Sequence, residues 1–131
     1  MAKSAERLKR LVRLQEQIKA LHETRHAAHL SRAVAARKET SELLEALNAA
    51  SPLPGLFPDL YNRRIGMAIE REQREDRNAR EEAARVATAT MRTNMAERAY
   101  REAFRLEERE AAEKEQLENV ERGLGEAKDP K

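Results

Sequence analysis

The chain is 131 residues long, 38% charged and 3% aromatic, with no cysteine and a formal net charge of +2. A mean hydropathy of −0.89 leaves too little apolar bulk for a globular core, since each fully buried Leu or Ile contributes only about 1.5–3 kcal/mol. Without cysteine there is no disulfide framework and no thiolate site, and charge this near balance lacks the single-sign footprint of a nucleic-acid binder.

The first predicted element covers about residues 4–50 and holds neither glycine nor proline. Strong helix formers fill it, which argues for helix over disorder despite the charge. Ser4 is the expected cap, with Arg7 rather than an acid three positions on, so the capping box is incomplete. Leu8 leads into Leu11, Leu14, Ile18 and Leu21, whose spacings of three, four and three describe a heptad seam. Beyond Leu21, Leu30 and Val34 fall on a shifted register before Leu43, Leu44 and Leu47 resume, which predicts a stutter or a loosely packed middle. The apolar residues of the basic start are interrupted every few positions, so it contains no signal-peptide apolar region. Nothing in the chain approaches a span of about 20 apolar residues, and no membrane insertion is expected.

His22, His26 and His29 share one helical face at i, i+4 and i+7. Two histidines four apart suit zinc, but the third lies too far along the axis, so a ligand from another element would be required. The expected role is a polar stretch of the seam, with no metal and no cofactor.

Ser51 to Pro58 breaks the helix with Pro52, Pro54 and Pro58, each pushing the residue before it out of helical geometry. Leu53, Leu56, Phe57, Leu60 and Tyr61 gather apolar side chains at this tip. They are expected to cap the end of the paired helices, a role compatible with partner docking.

The second predicted helix covers about residues 59–127, with Asp59 as its N-cap. Gly66 costs it about 1 kcal/mol relative to alanine and allows a later start. From Arg71 to Glu82 the only apolar residue is Ala79, so this stretch is expected to be mostly solvated. Arg71, Arg74, Arg77 and Arg80 are interleaved with acids, which favours ion pairing within and between helices over nucleic-acid contact. A seam returns with Ala79, Ala83, Val86, Met91, Met95, Tyr100, Phe104 and Leu106, and a sparser one with Leu117, Val120 and Leu124. Gly123 and Gly125 are expected to end the helix.

Folding the chain near Pro54 pairs residues whose numbers sum to about 109, and apolar zones then meet apolar zones. The expected fold is all-α, a single elongated antiparallel two-helix coiled-coil hairpin. At about 1.5 Å per residue its helices measure about 70 Å and about 90 to 100 Å, leaving a C-terminal overhang of roughly twenty-five residues. Carboxylate pairs such as Glu81-Glu82 and Glu107-Glu108 lack the burial that tunes an acid–base group, and there is no phosphate loop and no nucleophile motif. No enzymatic activity and no small-molecule substrate are expected. Lys3, Arg7, Lys9, Arg10, Arg13 and Lys19 make the start basic, whereas Glu107 to Asp129 holds nine acids against four bases. The two ends either attract partners of opposite charge or neutralise one another.

The opening Met-Ala-Lys-Ser, the Arg-Leu pairs Arg7-Leu8, Arg10-Leu11 and Arg13-Leu14, the single break, the aromatic-bearing second helix and the Glu-rich segment Glu107 to Lys131 together resemble FliJ and the YscO-type proteins of flagellar and type III export. That resemblance implies a noncatalytic antiparallel coiled coil, cytoplasmic and peripheral to a membrane export complex. It also implies contacts with a hexameric export ATPase ring, an export gate component and export chaperones. No motif aligns residue for residue, so it implies no particular contact residues. Two other readings stand beside it: a coiled-coil scaffold whose overhang pairs with a second copy as a homodimer, and a regulator that binds metal through its histidines.

Overall fold

The computed structural model describes residues 2–49 and 55–127. It is an all-α hairpin in which α1 (Ala2–Asn48) packs against α2 (Pro58–Ala127). Helix α1 begins ahead of the expected cap at Ser4. Helix α2 begins with proline at its first position, where the missing N–H costs nothing and the fixed φ is already helical. Phe57, not Asp59, therefore stands at the cap, and its carbonyl accepts a 3.2 Å hydrogen bond from the Tyr61 N–H. Asp59 falls within the first turn, where the helix dipole favours a carboxylate.

Two further expectations about α2 are corrected. Gly66 does not delay the helix, and Gly123 and Gly125 do not end it; α2 runs through all three, none with positive φ. The glycine penalty of about 1 kcal/mol is local, and the strong helix formers on either side outweigh it.

Contacts divide the chain into two units, each built from both helices. In Gln17–Ala89, one row of α1 positions withdrawn from solvent runs Lys19, His22, His26, His29, Ala33, Ala36, Thr40, Leu43 and Leu47, with Ile18, Ala28, Glu39 and Ala46 half-buried beside it. The facing row of α2 runs Tyr61, Ile65, Ala68, Glu72, Glu75, Ala79, Glu82, Val86 and Ala89, with Arg71, Asp76 and Asn78 half-buried beside it. Both series alternate steps of three and four without a slip, so the expected stutter after Leu21 is absent. The stretch from Arg71 to Glu82 is likewise not simply solvated, since Glu75, Ala79 and Glu82 are buried. Ala33, Ala36, Ala68, Ala79 and Ala89 are the deepest residues of this unit, at 1–3% exposure. Small side chains there let the two backbones approach closely, which brings polar side chains of the neighbouring turns within reach of one another.

The second unit joins Met1–Glu16 to Thr90–Lys131. Ala5, Leu8, Val12 and Gln15 line its seam from α1; Thr93, Ala96, Tyr100, Ala103 and Glu107 line it from α2. The backbone N–H of Ala5 donates to Glu107 Oε1 at 3.1 Å. That amide lies in the first turn of α1, where the helix dipole favours a carboxylate, here one supplied by α2.

The seam is turned by one residue from the one that leucine spacing predicts. Leu8, Ile18 and Tyr100 are half-buried, but Leu11, Leu14, Leu21, Met91, Met95 and Phe104 are exposed. Val12, Gln15, Lys19 and His22 take the inward positions instead. One residue is about 100° of helix rotation, enough to carry a stripe from the interface to its flank. Two interactions favour the observed face: close packing of alanine on alanine, and histidine meeting glutamate across the seam.

Candidate functional site

Three features stand out on this hairpin: a polar seam, an apolar tip and an exposed end of α2. The seam lies in Gln17–Ala89. His22 Nδ1 donates to Glu82 Oε2 at 2.7 Å, and His29 Nδ1 donates to Glu75 Oε2 at 2.5 Å. A carboxylate only accepts, so both rings carry their proton on Nδ1. Arg85, three residues on from Glu82, donates to its other oxygen at 2.7 Å. The hydrogen bond from His22 is the main reason the Glu82 carboxyl is held below its usual range; Arg85 adds to this and burial opposes it. His26 is half-buried in the same seam.

On the flanks of this unit, Arg71 donates to Glu39 at 2.8 Å and Arg37 to Glu72 at 2.9 Å. Of the arginine-rich stretch, Arg71 forms a cross-helix ion pair of the expected kind, while Arg37 reaches across from α1. The bond to Glu72 raises the Arg37 guanidinium further above its already high range.

His22 and His29 engage different carboxylates two turns apart, about 10 Å along the axis, whereas zinc binds nitrogen at about 2.0–2.1 Å. One ion does not reach both rings. Among the described residues no group of three or more His, Cys, Asp or Glu is placed to hold a metal.

At the tip, Leu56, Phe57 and Leu60 are exposed and Tyr61 is half-buried. The expected cap over the hairpin end is not formed by these residues, because a two-helix end has no third layer to cover them. Leu53 lies outside the described residues. At the other end of α2, every residue from Glu108 to Glu126 is exposed, including Leu117, Val120 and Leu124 at 64%, 52% and 56%.

The surface depressions are shallow. One of about 270 Å³ lies beside Ala5, Lys9, Tyr100 and Phe104, whose two rings meet at a 6.0 Å centroid distance. Another lies at the tip beside Leu56, Phe57 and Leu60, and a third along Leu117 and Val120. Among the described residues no helix is long and apolar enough to cross a membrane.

Glu75 and Glu82 are the site residues that leucine spacing overlooks. The signal for their partners is in the sequence: alanine, histidine and leucine recur in steps of three and four from Ala5 to Leu47 once small and polar residues are admitted to the pattern. No protein-family model, no curated protein and no solved structure matches the chain.

Proposed function

We propose that the chain is a noncatalytic coiled-coil adaptor of the stalk type, working in a flagellar or type III protein export apparatus beside an export ATPase and a gate component. The observation that carries this reading is the cluster of exposed apolar side chains at the tip, Leu56, Phe57 and Leu60. Contiguous apolar groups left in water mark a docking surface, and the shallow depressions around them suit a protein face better than a small substrate. A seam closed by alanine and by His–Glu hydrogen bonds supplies the fixed register that a strut requires. The arrangement of two helices with one break agrees with what the resemblance to export stalk proteins implies.

The test is a titration of the cognate export ATPase with the full chain. The expected result is a rise in ATP hydrolysis, lost in a Leu56→Ser/Phe57→Ser variant whose helicity by circular dichroism is unchanged. An ATPase indifferent to the wild-type chain overturns the export assignment. The scaffold reading is favoured by a different observation, the unpacked end of α2.

A further inference from the structure

We propose that the end of α2 docks on a second copy of this chain, in a reciprocal exchange between two hairpins. The inference concerns the unit formed by Met1–Glu16 and Thr90–Lys131 and does not rest on the export reading. Within that unit charge is sharply divided. The paired part, residues 1–16 with 90–106, carries nine bases against four acids, a net of +5. The exposed part, residues 108–126, carries seven acids against three bases, a net of −4. Only some of those acids are engaged locally, Glu113 by Arg109 at 3.4 Å and Glu118 by Arg122 at 3.9 Å.

Apolar surface is divided in the same way. Leu117, Val120 and Leu124 recur at i, i+3 and i+7 on the acidic segment, all exposed. On the basic part, Leu11 precedes the seam residue Val12, Leu14 precedes Gln15, and Met95 follows Thr93 by two. These positions fall on one flank of the two helices, and all three side chains are exposed. A helix laid along that flank would bury both stripes and bring opposite charges together.

The acidic segment cannot reach its own hairpin's flank. Helix α2 is unbroken from Pro58 to Ala127, so its end runs on from the paired part rather than back over it. A second copy supplies what geometry denies within one chain. With the two α2 helices antiparallel about a two-fold axis beside Glu107, Leu117 and Val120 of one copy stand level with Leu11 and Leu14 of the other. Both docking contacts then form at once, and the assembly closes as a symmetric dimer instead of growing into a filament.

The chain has no cysteine, which permits a direct test. Leu11→Cys and Leu117→Cys chains are made separately, then mixed and oxidised. The expected product is a covalent heterodimer that forms in the mixture far faster than either chain dimerises with itself. Light scattering of the wild-type chain should give twice its 15.0 kDa mass, and the association should weaken several-fold as salt rises from about 0.05 to about 0.5 M. A Leu117→Lys/Leu124→Lys variant should remain helical and become monomeric. A wild-type chain that stays monomeric up to about 100 μM overturns the proposal, as does a dimer indifferent to that double substitution. Preferential cross-linking of Leu117→Cys to itself overturns it too, because that result places the two ends against each other and leaves the flank empty.

Discussion

His29 and Glu75 meet inside the seam, with Nδ1 donating to Oε2 at 2.5 Å and both side chains largely withdrawn from solvent. The surrounding alanines make that meeting possible, since bulkier neighbours would hold the helices too far apart for a histidine to reach a glutamate. A hydrogen bond to a charged group contributes about 1.5–3 kcal/mol, and an unpaired buried carboxylate costs at least as much. A double-mutant cycle over His29→Ala and Glu75→Ala should therefore give a coupling of about 0.5–3 kcal/mol in urea unfolding. The exposed pair Lys38 and Glu42, 4.0 Å apart, should give no more than about 0.5 kcal/mol in the same assay.

The Glu82 carboxyl predicts an acid dependence. Its folded-state pKa is depressed, chiefly by the hydrogen bond from His22. A depressed acid contributes stability that is fully present above its unfolded value of about 4.3 and is lost as pH falls through the folded value. Melting temperature of the wild type should thus fall more steeply below about pH 4.3 than that of Glu82→Gln, which lacks the titrating group. Parallel melting curves for the two proteins across that range would remove Glu82 from the set of acid-sensitive contacts.

How much of this was legible follows from which signals sequence carries. Two helices and one break could be read from proline and glycine alone, and the antiparallel register from the matching of zones. The register is close to the one seen, in which residue 22 pairs with 82, 29 with 75 and 39 with 71. The facing of the helices could not be read from leucine spacing. Leu11, Leu14, Ile18 and Leu21 form as good a heptad as Val12, Gln15, Lys19 and His22, and by side-chain size a better one. What separates them is pairwise: Glu75 and Glu82 supply partners for histidines, and Ala68 and Ala79 supply room, neither of which is a property of α1. Leu56, Phe57 and Leu60 were expected to cover the hairpin end, an outcome that depends on a third layer not found among the described residues.

The helical glycines offer a simple gain. A Cβ built at Gly66 or at Gly123 meets no other atom within 4 Å, and both residues lie inside α2 with ordinary helical φ. Replacing either with alanine removes backbone freedom from the unfolded chain without a clash. Gly66→Ala should raise unfolding free energy by about 1 kcal/mol, measured by urea denaturation followed at 222 nm. Gly123→Ala should raise helicity more than global stability, because its surroundings from Glu108 to Glu126 are exposed throughout. A loss of stability in Gly66→Ala would mean that the helix does not continue through that position.

Gln15 and Leu14 together decide which face of α1 meets α2. Gln15 occupies the seam, and its Oε1 is buried with no hydrogen-bond partner. Leu14 is half exposed on the neighbouring flank, at 50%. An unsatisfied buried acceptor costs about 1–3 kcal/mol, so Gln15→Leu should stabilise the hairpin by about 1–2 kcal/mol through relief of that cost and added apolar burial. The mirror substitution, Leu14→Gln, should change stability by no more than about 0.5 kcal/mol, as exposed positions do. If the leucine stripe were the true seam the two effects would trade places: Leu14→Gln would become costly and Gln15→Leu nearly neutral. Measuring both in urea at low protein concentration keeps association out of the comparison, because Leu14 also lies on the flank assigned to the second copy.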